Sequence, residues 1–168
     1  MLGPALIAVC MMAGGCGYRV RPAAGKLPGG IASLGIPALV NMSPQFKVEQ
    51  KVTAALRKEF MLRTRIPISA RTEGVDAILQ GEIRSVSASP VAFPSDTFGS
   101  AFLVTIQMGV KLVRSKDASV IWDDPSFLFR ERYVLNSRVQ DFFSEENPAI
   151  DRLAREFASS LVSTILKP

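Results

Sequence analysis

FLVTIQMGVKL, residues 102–112, is the stretch on which the fold turns. Phe102, Val104, Ile106, Met108, Val110 and Leu112 take every second position over eleven residues. Successive strand side chains point to opposite faces, so this period of two predicts a strand with one buried face. Upstream, Val75, Ala77, Leu79, Gly81 and Ile83 alternate with Asp76, Gln80, Glu82 and Arg84, with Ile78 out of phase, and predict a second such strand. A proline-containing loop, residues 89–100, joins the two. Downstream, residues 114–119 read as a turn into a further strand that begins at Val120 and resumes at Phe127, Phe129 and Tyr133. Asp123-Asp124-Pro125 between these two parts reads as a bulge or kink. Working outward again, the period changes to three and four. Ser43-Pro44 reads as a helix start, Ser43 capping free amides and Pro44 standing in the first turn, where its missing N–H costs nothing. Val48, Val52, Ala55, Leu56 and Phe60 then make one apolar stripe, and Pro67 marks the stop. Asn147-Pro148 repeats the start signal before Ile150, Leu153, Ala154, Phe157, Leu161 and Ile165. The apolar run at residues 31–40 reads as an opening strand, with Pro37 at an edge or end because it donates no hydrogen bond. The predicted order is βαβββα. It is an α+β, two-layer sandwich, with two helices packed on one face of a four-stranded, mostly antiparallel sheet.

At 168 residues, 48% hydrophobic and 21% charged, the chain fits one globular domain rather than a disordered one. It is basic, at +5 with a pI near 9.6. Residues 45–67 alone carry a net +4 from Lys47, Lys51, Arg57, Lys58, Arg63 and Arg65 against Glu49 and Glu59. Such a face suits phosphate-bearing partners or is an ordinary solvated helix surface. No nucleic-acid motif accompanies the cations, so no nucleic-acid partner is expected. The chain has no histidine, which removes the usual general base and the commonest metal ligand together. Asp123 and Asp124 are adjacent on a strand, so they point apart and make a poor acid/base or metal pair. No phosphate-binding glycine pattern and no nucleophile elbow is present. The expectation is a non-enzyme without cofactor or metal.

Residues 1–13 are almost wholly apolar and run into Gly14, Gly15 and Cys16; a bilayer-spanning helix needs ~20 such residues. That length reads as a signal peptide. The order Ala13-Gly14-Gly15-Cys16-Gly17 resembles a bacterial lipobox, with Ala13 where Leu is usual and no cation ahead of the apolar run. Acylation is thus expected at Cys16, with residues 1–15 a lipoprotein signal peptide, 16–30 an acylated N-terminus and flexible tether, and 31–168 a single α+β domain. Two or more acyl chains make such anchoring stable.

In order along the chain, Cys16-Gly17-Tyr18, Gly35-Ile36-Pro37, Asn41, Val52-Thr53-Ala54-Ala55-Leu56, Asp76-Ala77-Ile78-Leu79-Gln80-Gly81-Glu82-Ile83 and Pro90 resemble the lipopolysaccharide-assembly lipoproteins of the LptE type. The resemblance spans nearly the whole mature chain, and it implies the same fold of two helices on a four-stranded sheet. It further implies a lipid-anchored protein at the periplasmic face of the cell outer membrane. Its partners would be the LPS-translocon β-barrel, an LptD-like protein that it plugs and supports, and lipopolysaccharide itself. Ile36-Pro37, Asn41, the first helix and the strand from Asp76 to Gly81 are similar as well to curli-secretion and penicillin-binding-protein-activator lipoproteins. These imply a pore subunit or a synthase activator instead. For an anionic lipid such as LPS, Arg114 and Lys116 at the strand-turn-strand junction are candidate phosphate contacts. Arg130 and Arg132, at spacing two on one strand face, are a second candidate pair. An ordinary charged turn and a solvent-facing strand surface are the alternatives at the two places.

Overall fold

The computed structural model describes residues 25–91, 100–135, 143 and 148–166. Its elements are β1 (Leu34–Gly35), β2 (Val40–Asn41), α1 (Val48–Thr64), β3 (Ile68–Ser69), β4 (Ala77–Val91), β5 (Ser100–Arg114), β6 (Val120–Leu135) and α2 (Pro148–Ile165). As the alternation predicts, residues 102–112 fall in a strand, β5, which lies between β4 and β6 in the sheet. It pairs antiparallel with β4 from Ala77↔Arg114 to Val91↔Ala101, and with β6 from Ser100↔Leu135 to Val113↔Val120. Val104, Ile106, Met108, Val110 and Leu112 are all buried.

The sheet departs from the expected four antiparallel strands: it has six, in the order β3-β1-β4-β5-β6 with β2 also on β4, and it is mixed. β1 runs parallel to both β3 and β4, and β2 runs parallel to β4. The order of elements is therefore ββαββββα, the strand β3 standing between α1 and β4. The opening strand expected over residues 31–40 is two short pieces because Pro37 interrupts the ladder. Gly35 lies opposite Ile78 and Val40 opposite Glu82, so residues 36–39 face only residues 79–81, the extra residue falling beside the proline. Pro90, by contrast, is inside β4, paired with Phe102. There β4 has no second strand neighbour among the described residues, which is where a strand tolerates proline. The kink expected at Asp123-Asp124-Pro125 is a bulge. Met108 pairs with Phe127 and Val110 with Asp124, so Pro125 and Ser126 share one partner position, Gly109.

Both helices cover one face of the sheet. Val48, Val52, Leu56 and Phe60 of α1 and Ile150, Leu153, Phe157, Leu161 and Ile165 of α2 join the inward residues of β4, β5 and β6 in one cluster. Phe157 meets Phe127 and Phe129 edge-on, with centroids 5.6 and 5.7 Å away. The helix start at Ser43 is not realised: α1 begins at Val48, after Lys47 in the left-handed region at φ 59° and with no side-chain cap. Ser43 is instead drawn into a turn by Asn41, whose Oδ1 accepts from the Ser43 N–H and hydroxyl at 2.9 and 2.7 Å. The Asn41 amide donates onward to Gln45 O and to Glu49, both at 2.8 Å. Packing begins before residue 31. Leu27 is in the core, and the Gly25 N–H donates to Arg63 O at 2.8 Å, satisfying a carbonyl that the last turn of α1 leaves open.

Candidate lipid-contact and partner-contact surfaces

The β5–β6 turn is held by its own short-range chemistry. Arg114 N–H donates to Ser119 O and Ala118 N–H to Arg114 O, both at 2.9 Å, with Ala118 at φ 55°. The Ser119 hydroxyl and N–H donate to Asp117 at 2.7 and 3.0 Å. These two bonds, aided by the Arg114 charge, hold the Asp117 carboxyl below its ordinary pKa. The tip therefore carries an anion among its cations. Arg114 is partly engaged in the fold, since its guanidinium donates to Gly29 O at 3.2 Å. Lys116 is exposed.

Arg130 and Arg132 are exposed on the face of β6 that the helices leave open, and Leu128 and Val134 flank them on that face at 46% and 65% exposure. The structure does not unite the two candidate pairs. Arg130 lies opposite Thr105, nine residues along β5 from Arg114, a separation of about 30 Å at ~3.3 Å per residue. Cys16 lies outside the described residues.

The basic stretch at residues 45–67 divides into structural and solvent-facing cations. Lys51 pairs with Asp151 of α2 at 2.6 Å. Arg57 donates to Ile36 O at 2.9 Å. Arg63 pairs with Glu59 and donates to the Ser163 and Ser159 hydroxyls at 2.7 and 2.8 Å. Lys58 and Arg65 remain exposed.

Two features were not found in the sequence. The first is a groove of about 510 Å³ on the open sheet face, lined by Glu82, Arg84, Gly109, Lys111, Asp123 and Pro125 among others. It exists because β4 bulges at Arg84 and β6 bulges at Pro125, and because Gly109 has no side chain. A Cβ there would meet the Arg84 guanidinium at 3.1 Å and Pro125 O at 3.4 Å. The only sequence signals were a glycine and a proline out of step with their strands. The second is an exposed apolar group at the β2–α1 turn, Val40, Met42 and Phe46, at 54%, 67% and 74% exposure. The Lys47 ammonium stands 5.0 Å from the Phe46 ring.

Among the described residues no three His, Cys, Asp or Glu side chains gather as a metal site would require, and no helix is long and apolar enough to cross a membrane. The described residues thus form a two-layer α+β domain, with both helices on one face of a mixed sheet. The family model described as LptE, Lipopolysaccharide-assembly, matches residues 31–165, and the chain belongs to that family. No curated protein matches it by sequence. Similar solved structures include a protein of Xanthomonas campestris at 17% identity and TM-score 0.53, covering 83% of this chain and 86% of that one. They also include lipoprotein B of Nitrosomonas europaea at 15% and 0.50, covering 89% and 90%. The PelC dodecamer of Paraburkholderia phytofirmans is similar at 10% and 0.50, covering 87% and 95%. At these identities the likeness is one of fold.

Proposed function

We propose that this chain is a non-catalytic lipoprotein, acylated at Cys16 and held at the periplasmic face of the outer membrane. There it binds and supports the LPS-translocon β-barrel and assists delivery of lipopolysaccharide. The observation that carries this reading is the family match, which runs through the whole packed domain from residue 31 to residue 165. It favours LPS assembly over a pore subunit or a synthase activator. The surfaces accord with it. The open sheet face offers a groove with both signs of charge, and Lys116, Arg130 and Arg132 offer exposed cations to phosphate.

The experiment is depletion of the chain from its own cells, with lipopolysaccharide at the cell surface as the readout. Surface LPS falls on depletion and returns with the wild-type gene, and it returns poorly with Cys16→Ser, which removes the acyl attachment. Undiminished surface LPS after full depletion contradicts the reading.

A further inference from the structure

On α1, Ala54, Lys58, Met61 and Leu62 are all exposed and follow one another at spacings of four, three and one, so they form one stripe along the helix exterior, and exposed Arg65 follows directly as the C-cap, in the left-handed region at φ 59°. It lies opposite the buried stripe of Val52, Leu56, Phe60 and Thr64. Its two large apolar side chains are consecutive, with Met61 57% and Leu62 63% exposed. A cation stands one turn to either side, Lys58 before them and Arg65 after them. The stripe holds no acidic residue, and no polar partner engages Lys58, Arg65 or the nearby exposed Lys26 among the described residues. An apolar pair bracketed by unneutralised cations is the chemistry that meets an anionic lipid surface. The apolar side chains enter the headgroup layer and the ammonium and guanidinium groups meet phosphate.

The course of the chain supplies a second, independent reason. Gly25 is bonded to Arg63 O, one residue beyond Leu62, so the polypeptide arrives at this same end of α1. Only residues 17–24 separate it from Cys16, a span that reaches at most about 30 Å even when fully extended. We infer that the C-terminal half of α1 is a membrane-apposed face, on which Met61 and Leu62, framed by Lys58, Arg65 and Lys26, seat the domain on the anionic phospholipid leaflet that holds its anchor. This rests on the lipid-anchor reading of Cys16. It also orients the domain, leaving the open sheet face with its groove for other partners.

Once residues 1–15 are removed and Cys16 is acylated, the chain contains no free thiol, so Leu62→Cys provides a single site for a spin label, and Leu128→Cys on the open sheet face provides a control. The acylated protein is reconstituted on vesicles of equal parts phosphatidylethanolamine and phosphatidylglycerol. Collisions of each label with oxygen, which partitions into lipid, and with a water-soluble nickel complex are then measured. The label at position 62 gains oxygen collisions and loses nickel collisions relative to the label at 128. Lys58→Glu with Arg65→Glu returns it toward the aqueous level, the docked-to-undocked ratio falling by at least roughly fivefold for each cation reversed, while the acyl anchor keeps the protein on the vesicles. A label at 62 that stays as open to nickel as the label at 128, on vesicles that float with the protein, overturns the inference and leaves the anchor intact. Shielding that appears only when the translocon barrel is added also overturns it, because the face is then a protein contact. Protein that fails to float at all overturns the anchor reading and this inference with it.

Discussion

Arg114 and Lys116 are two residues apart in sequence, yet the fold uses them differently. Arg114 donates to Gly29 O and closes the turn onto the segment that enters the domain, while Lys116 projects from the tip. Arg114→Asp is therefore expected to lower the stability, and Lys116→Asp is expected to leave it within the roughly ±0.5 kcal/mol typical of surface changes. If LPS phosphate meets the tip, Lys116→Asp weakens capture of LPS by the purified protein at low salt. The difference closes as salt rises, since exposed charges are screened over about 8 Å at physiological ionic strength. Binding measured against ionic strength checks this, and capture unchanged at low salt removes the tip as a contact. The Gly29 contact was not legible in the sequence, because its partners are 85 residues apart and nothing local marks either one. The same holds for Gly35, where a Cβ would stand 2.5 Å from the Arg71 backbone oxygen. At Gly81 the close approaches of an added Cβ would be to side-chain ends, those of Met108 and Leu39, with the Gly109 backbone oxygen at an ordinary 3.7 Å. Gly35→Ala should thus cost about 1–3 kcal/mol, the range of overpacking. Gly81→Ala should cost less, because methionine and leucine termini move more readily than a carbonyl. Denaturant melts of the two variants check the order.

The elements that were legible are those whose signal is repeated many times along one stretch. β5 and α2 each carry a long run at a single period, and both lie where that period puts them. Each of β1, β2 and β3 has only two residues, and their pairing is fixed by what α1 and β4 place beside them. Ser43 misled for a related reason. A hydroxyl that suits a helix cap suits an Asn-centred turn as well, and the Asn41 network decides between them. The phase of α2 has a direct test. Phe157 is fully buried between Phe127 and Phe129, so Phe157→Ala should cost about 3–5 kcal/mol. Arg155→Asp, on the exposed side of the same helix, should cost little, and equal melting points for the two would contradict the packing. α2 is also clamped to β6 by Tyr133, whose buried hydroxyl donates to the Glu156 carboxylate while Arg152 stands 4.6 Å from its ring. Burial first, and then the bond to Glu156, push the phenol well above its ordinary pKa of 10.0. A raised folded-state value means that the folded protein holds this proton more tightly than the unfolded chain. Its stabilisation is complete below pH ~10 and is lost as pH rises above that. Wild type should therefore lose stability more steeply than Tyr133→Phe through that alkaline window, and near neutral pH Tyr133→Phe should cost about 1 kcal/mol for the lost hydrogen bond. Unfolding followed against pH reads both effects.

At the scale of the whole molecule, the sheet's two faces divide the work. One face is covered by α1 and α2 and makes the core. The other is covered by no helix among the described residues, with Gln80, Glu82, Arg84, Lys111, Arg130 and Arg132 exposed. Less of the contact surface than of the fold was legible. A groove made by two bulges and a glycine has no local signature, and which cations of α1 stay solvent-facing depends on where α2 packs. Lys51 and Arg63 are engaged by Asp151, Ser159 and Ser163 about a hundred residues away, whereas Lys58 and Arg65 are not. The order of short motifs did carry the family, and three of the motifs mark places where the fold is constrained: Gly35 under the Arg71 carbonyl, Asn41 in its turn, and the start of β4, residues 77–83, between β1, β2 and β5. The central claim is that this module serves the LPS translocon. Its most direct test is affinity purification of the tagged, acylated chain from detergent-solubilised membranes of its own cells, with its companions identified by mass spectrometry. Recovery of an outer-membrane β-barrel of the LPS translocon, in constant ratio to the chain through size-exclusion chromatography, is the predicted result. Recovery with peptidoglycan synthases, or of the chain alone as a large ring of copies, would contradict it.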